Sequence, residues 1–279
     1  MSMTVAETVR LTKLRLERFA GEESDREAKL MVAEVIGAEA GALSVHTWMD
    51  VADEQLTALG AMIARREKGE PLQYILGEWA FMGLPFLTDR RALIPRQDTE
   101  LLCETARERI ASHGYRTVLD LCTGGGCIAI ALQKLTCALV TGADISVDAL
   151  ALARENAALN EGEIAWIESD LFKNIPGRYD LIVCNPPYLS RNDMEHLQKE
   201  VAFEPALALF GGEDGLAFYR KIAGEYREHI NPGGTLLLEI GYMQGESTAE
   251  LFANGAKTRV LNDLCGNPRV LIVETDEQK

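Results

Sequence analysis

Asn185-Pro186-Pro187-Tyr188, at the end of the apolar run Tyr179-Asp180-Leu181-Ile182-Val183-Cys184, carries the most distinctive chemistry in this chain. Pro187 cannot donate to a sheet ladder and Pro186 biases Asn185 away from helix, so a strand reading through Cys184 must stop here and turn. The Asn185 side-chain oxygen and a neighbouring main-chain carbonyl can then accept both hydrogens of one planar NH2 group, with the Tyr188 ring alongside. Asn185, Pro186, Pro187 and Tyr188 are thus candidate substrate-binding residues for a reaction at nitrogen. Asn and Pro are also ordinary turn formers, and a plain strand-to-loop stop is the bland alternative.

A second cluster lies upstream, in Leu119-Asp120-Leu121-Cys122-Thr123-Gly124-Gly125-Gly126-Cys127-Ile128-Ala129. It sets glycines between a strand and a helix, where backbone must approach a ligand closely. Cys122, Thr123, Gly124, Gly125 and Gly126 are candidate cofactor contacts, and Asp144, about twenty residues on, can accept from ribose hydroxyls. Gly124-x-Gly126-x-x-Ala129 with Asp144 also fits a dinucleotide fingerprint, so this region alone leaves NAD and S-adenosylmethionine open. Two features favour S-adenosylmethionine. Asp170, in Ser169-Asp170-Leu171-Phe172, can accept from an adenine amino group with Leu171 against the ring, unless it is only an exposed turn residue. The Asn185 clamp lies beside the same crevice, which makes Asn185 a candidate cofactor contact too, and it has no evident use in hydride transfer.

These residues need a sheet to hold them. Strands are expected at Thr117 to Cys122, Ala138 to Ile145, Ile164 to Ser169, Tyr179 to Cys184, Thr235 to Ile240, Thr258 to Leu261 and Arg269 to Glu274. Helices are expected at Cys127 to Leu135, Val147 to Asn160, Leu216 to His229 and Met243 to Ala253. This alternation implies an α/β fold with a Rossmann-like, mostly parallel sheet covered by helices. The short link ending in Gly266-Asn267-Pro268 implies an antiparallel edge. Residues 1–78 instead read as a small helical domain. In its best segment, Asp53 to Lys68, Asp53 is the expected N-cap, Leu56, Leu59 and Ile63 share a face, and Arg65, Arg66 and Lys68 form a solvated last turn. Residues 79–97 read as a hairpin-like connector, leaving 98–279 as the catalytic domain; the tail from Thr275 to Lys279 is expected to fray.

The net charge of -15 and pI near 4.8 repel nucleic-acid phosphates. A protein or small-molecule substrate, with no direct nucleic acid, is the expectation. Cys103, Cys122, Cys127, Cys137, Cys184 and Cys265 show neither metal-ligand spacing nor a disulfide framework, which suggests thiols in a reducing cytosol. No apolar stretch reaches bilayer length and Met1 to Arg10 lacks a signal-peptide core, so a cytoplasmic protein without membrane attachment is expected. His46, His113, His196 and His229 are scattered; no metal and no general base is assigned, and a monomer suffices.

Taken together, the chain resembles the N5-glutamine methyltransferases that modify peptide-chain release factors. The resemblance rests on Ile94-Pro95-Arg96-Gln97-Asp98-Thr99-Glu100, the Asp120 to Ala129 loop, Asp144, Ser169 to Phe172, Asn185 to Tyr188, Phe203-Glu204-Pro205, Gly211 to Leu216, Leu236 to Gly241, and Asp263 with Arg269. It implies a seven-stranded methyltransferase sheet, S-adenosylmethionine as methyl donor with S-adenosylhomocysteine as product, and a helical domain that recognises class 1 release factors as substrate. It also implies catalytic roles for Asn185, the Pro186 carbonyl and Tyr188 on the glutamine of a Gly-Gly-Gln motif. Arg96, Asp98 and Glu100 would brace the two domains or order the cofactor pocket, bracing being favoured. Glu204, Pro205 and the Gly211 to Gly215 loop would shape the substrate cleft or serve as structural loop. Three residues depart from the family pattern: Gln97 where proline is usual, Cys122 where glycine is common, and Gly125 where serine or threonine is common. An adenine-N6 methyltransferase shares the clamp but would want a basic groove. An NAD-dependent oxidoreductase and a silent binding module are the remaining alternatives.

Overall fold

The computed structural model describes residues 3–275, so the fraying expected of Thr275 to Lys279 lies outside the described residues except at Thr275, which is not frayed: its N and Oγ1 donate to Gly234 O at 3.1 and 2.9 Å. The chain divides into two compact units, residues up to Gly77 with Gln198–Phe203, and Glu78–Leu197 with Glu204 onward.

In the first unit, β1 (Met3–Thr4) pairs antiparallel with β2 (Asp50–Val51), and the helices are α1 (Val5–Ala20), α2 (Ser24–Ile36), α3 (Asp53–Glu67) and α4 (Leu72–Leu76). Helix α1 starts in a capping box, with Thr4 Oγ1 accepting from Glu7 N while Glu7 accepts from Thr4 N. Val5 and Leu16 of α1, Met31 and Val32 of α2, and Leu59 and Ile63 of α3 are buried. Two local expectations fail in α3. Asp53 is its first helical residue, and the N-cap is Ala52, whose N–H donates to Gln55 Oε1 at 2.9 Å. Its last turn is solvated at Lys68 and partly at Arg65, but Arg66 is 3% exposed and bidentate to Glu27 at 2.8 and 2.9 Å, with Glu200 at 2.6 Å. A guanidinium can be buried there because two carboxylates satisfy its fork.

The second unit opens with an antiparallel hairpin, β3 (Glu78–Phe81) and β4 (Leu84–Leu87). Met82 and Gly83 join the strands at φ of 50° and 76°, the backbone twist that tight hairpins favour. Then follow α5 (Gln97–His113), β5 (Thr117–Leu121), α6 (Cys127–Leu135), β6 (Leu139–Asp144), α7 (Val147–Leu159), β7 (Ala165–Glu168) and β8 (Tyr179–Cys184). The remainder comprises α8 (Arg191–Glu195), α9 (Ala206–Leu209), α10 (Ala217–His229), β9 (Ile230–Glu239), α11 (Gly245–Phe252), β10 (Lys257–Asn262) and β11 (Pro268–Glu274). Each expected strand and helix of this region is present, with ends shifted by a few residues.

The seven strands lie in the order β10-β11-β9-β8-β5-β6-β7. All neighbours from β9 to β7 are parallel, and β11 runs antiparallel between β9 and β10. Alternate residues face opposite layers, which explains the unbroken apolar runs. Val118, Leu181, Val183 and Leu237 pack with Leu102 and Ala106 of α5 and Ile128 and Leu132 of α6. Leu119, Ile182, Leu236 and Leu238 pack on the other face with Tyr219, Ile222 and Tyr226 of α10. From β5 the chain moves to β6 and β7 on one side and to β8 and β9 on the other. The carboxyl ends of β5 and β8 therefore flank the switch point where such sheets bind ligands.

Candidate active site

A cavity of about 340 Å³ opens at this switch point and takes in Cys122, Thr123, Gly124, Gly125, Asp144, Asp170, Leu171, Asn185 and Pro187. The two clusters read from sequence thus converge, because both follow strands that end at the same edge. Gly126, Pro186 and Tyr188 are not in the cavity wall. Gly126 is the residue before α6, at φ 83°, and a Cβ there would come within 2.8 Å of the Trp166 ring, so packing is its role. Tyr188 packs against the core on the α10 side of the sheet, where burial pushes its phenol well above the ordinary value.

Asp120, buried at 0% exposure, organises the glycine loop. Its Oδ2 accepts from Thr123 Oγ1 at 2.5 Å and from Ala129 N at 3.1 Å, while Oδ1 has no partner. Burial pushes this carboxyl up to about 7 against the pull of those two donors. Asp144 accepts from Gly124 N and Ser146 N, each at 2.8 Å, and desolvation raises its carboxyl although these amides oppose it. With Ile145 N as a further donor, three amides meet a carboxylate that can accept about four hydrogen bonds, which leaves room for a ligand hydroxyl.

Two residues of the wall hold left-handed backbone, Cys122 at φ 57° and Leu171 at φ 50°. A side chain in that region is strained, which gives a reason for glycine to be favoured at the Cys122 position. The other two departures fit easily. Gln97 is the first residue of α5, where proline is tolerated because that N–H lacks a helical partner anyway. A Cβ on Gly125 would meet nothing nearer than 3.4 Å.

At the opposite wall, Asn185 Nδ2 donates to Thr99 Oγ1 at 3.3 Å, which leaves Oδ1 as the acceptor for a ligand. The backbone after Asn185 is held from below by a distant loop. Gly211 N donates to Leu189 O at 2.8 Å, and Gln244 Nε2 donates to Tyr188 O at 3.0 Å. A Cβ on Gly211 would fall 2.7 Å from Pro187 O, and one on Gly215, at φ 75°, 2.4 Å from Tyr188 O. These glycines are close-approach positions under the loop that follows Asn185, rather than walls of a cleft.

The Ile94 to Glu100 segment also has a different task from bracing. Ile94 N donates to Glu204 at 3.0 Å and Arg96 pairs with the same carboxylate; Asp98 pairs with Arg269 at 3.1 Å; Glu100 accepts from Met82 N at 2.8 Å. Every one of these partners belongs to the second unit, and Ile94, Pro95, Arg96 and Thr99 line the cavity. They order the pocket. Sequence reasoning did not single out Thr99 as a site residue, nor the wall residues Leu207, Ala208, Phe218 and Lys221. Phe218 and Lys221 lie in the helix expected at Leu216 to His229, and nothing local marks a cavity wall there or at Leu207 and Ala208.

The residues present fit S-adenosylmethionine. Asp144 offers carboxylate lone pairs for hydroxyls, Asp170 an acceptor for an amino group, Leu171 and Ile145 apolar surface for a base, and the volume suits a small-molecule site. Sheet order, glycine loop and acidic strand ends define a Rossmann-like methyltransferase domain.

Known proteins agree. The family model "Methyltransferase small domain" matches residues 97–209, and "PrmC N-terminal domain" matches residues 7–77. The release factor glutamine methyltransferase of Geobacter sulfurreducens is 41% identical over 90% of this chain and 88% of that protein. The one from Agrobacterium fabrum is 37% identical over 96% of each. A solved methyltransferase from Pyrococcus furiosus superposes with a TM-score of 0.56, at 18% identity, over 81% of this chain and 100% of that one, a likeness of fold. The chain belongs to the release factor glutamine methyltransferase family.

Proposed function

We infer that this protein transfers a methyl group from S-adenosylmethionine to the side-chain amide nitrogen of the glutamine in the Gly-Gly-Gln motif of class 1 release factors, the reaction of its family. The observation that carries the reading is the free Asn185 Oδ1 facing the cavity whose other wall holds Asp144 and Asp170. When bound, S-adenosylmethionine supplies an electrophilic methyl group on a sulfonium centre. The chain's own task is to present a poor nucleophile, because the amide lone pair is delocalised into its carbonyl. Asn185 Oδ1 and the Pro186 carbonyl accept the two amide hydrogens and aim the nitrogen into the cavity. Such alignment is worth about 7 kcal/mol in favourable cases, and acceptors aimed at the developing positive charge add to it. Tyr188 holds the loop from the core side. The proton leaves late, to water or a carbonyl, without an assigned base.

The helical unit serves substrate recognition in this reading. Trp48 and Val45 are 77% and 66% exposed there, apolar surface of the kind a protein partner covers. The acidic charge supports a protein substrate without direct nucleic-acid binding, and a monomer working in the cytoplasm is sufficient. Among the described residues no helix is long and apolar enough to cross a membrane. Incubation with labelled S-adenosylmethionine and a purified release factor, followed by peptide mapping, tests the assignment. Label is expected on the glutamine of the Gly-Gly-Gln loop, and its absence there would sink the substrate while leaving the fold untouched.

A further inference from the structure

Glu239, the last residue of β9, is 1% exposed, and its Oε2 has no hydrogen-bond partner. The Thr99 side chain is the polar neighbour that draws this carboxyl down against its burial. Thr99, itself 2% exposed, also accepts the Asn185 Nδ2–H at 3.3 Å. Thr99 thus stands between a buried carboxylate and the amide at the cavity wall. An ionised carboxylate can only accept, so the hydroxyl proton points to Glu239 and the Thr99 lone pair faces Asn185, where only an N–H can use it. Turning the Asn185 amide over would set its oxygen against that lone pair and send its NH2 into the cavity. There it would meet the NH2 of a substrate amide, donor against donor.

We propose that Glu239 and Thr99 are positioning residues for methyl transfer, fixing the Asn185 amide with its oxygen toward the substrate nitrogen. The inference rests on the amide clamp described above. Stability alone does not explain the carboxylate: a buried charge with one unsatisfied oxygen is costly, and an apolar side chain would pack there more cheaply.

The groups facing Glu239 are Arg96 and Asp98 at the start of α5, Cys103 within it, Cys127 of α6, Tyr188, Tyr219 of α10 and Arg269 of β11. Burial lifts the carboxyl up to about 7, while the Thr99 hydrogen bond and the two arginines pull it down. Once protonated, Glu239 can donate to Thr99, and the direction of the line is no longer fixed. Turnover is therefore expected to rise with pH through about 7.

The test is steady-state methylation of a purified release factor by the wild type, Thr99→Val, Thr99→Ser and Glu239→Gln, with S-adenosylmethionine affinity measured by calorimetry. Thr99→Val is expected to lower kcat by about 10- to 100-fold and Thr99→Ser to restore it to within about threefold. Because Thr99 also lines the cavity, the S-adenosylmethionine Kd is followed in both variants, and it should change less than kcat does. Glu239→Gln, nearly isosteric, should lose the rise of kcat through pH 7. A second readout needs no substrate: the side-chain amide signals of Asn185 in NMR spectra should titrate near pH 7 in the wild type and not in Glu239→Gln. Thr99→Val turning over like the wild type, a pH limb that survives in Glu239→Gln, or Asn185 signals that ignore pH would each overturn the proposal. If the wild type labels no glutamine, the release factor reading falls, and the Asn185 titration still decides the relay.

Discussion

The two walls of the cavity are built differently. The glycine-loop wall is local: Asp120 holds Thr123 and Ala129, and Asp144 holds Gly124 and Ser146, all within one strand-helix-strand stretch. The Asn185 wall is assembled from afar, with Thr99 on α5, Gly211 and Gly215 in a distant loop, and Gln244 just before α11. A wall that contacts a cofactor can be carried by one short segment with its own strain. A wall that must aim a weak nucleophile depends on elements fixed independently of one another, which the sheet and its helices hold together.

Substitutions can break this contrast. Asn185→Ala should have the largest effect, lowering kcat by about 100-fold or more while S-adenosylmethionine affinity changes by less than about threefold. Calorimetry and initial rates on one preparation check the split, and comparable losses in both would merge the two walls into one unit. Gly215→Ala comes next. Its Cβ would press on Tyr188 O at 2.4 Å from a residue already at φ 75°, so unfolding in guanidinium should show a loss of about 2 kcal/mol. Turnover should fall further than cofactor affinity does.

On the cofactor side, Asp120→Asn sharpens the comparison through pH. Burial holds the Asp120 carboxyl at about 7, against about 3.9 in an unfolded chain. Over that window the folded protein keeps a proton that the unfolded chain has lost. The stabilising contribution is therefore complete below about pH 4 and declines as pH rises through 7. Asp120→Asn should narrow the difference in unfolding free energy between pH 5 and pH 8, and Glu239, shifted with the same sign, should keep it from vanishing. Cys122→Gly is the smallest effect expected. Relief of the left-handed strain at φ 57°, less the added freedom of the unfolded chain, should stabilise by about 0.5–1 kcal/mol, read as a rise in Tm. A lower Tm would mean that the Cys122 thiol's packing outweighs the strain.

Much of the molecule was legible because its signals are local. Apolar runs fixed the strands of the second unit, glycines between strand and helix marked the cofactor wall, and Asn185-Pro186-Pro187-Tyr188 marked the end of β8. The misreadings share a physical cause. Arg66 looked solvated because its carboxylates, Glu27 and Glu200, are remote in sequence. Arg96, Asp98 and Glu100 looked like braces until their partners Glu204, Arg269 and Met82 were located. By itself, then, the sequence determined the α/β order, the glycine loop, the clamp motif and the family, since each is written in neighbouring residues. Only the tertiary structure decided that Gly126, Pro186 and Tyr188 stand outside the cavity wall, and that Thr99 and Glu239 stand behind Asn185. Those contacts join residues that the sheet brings together across long stretches of chain, and no local pattern encodes them.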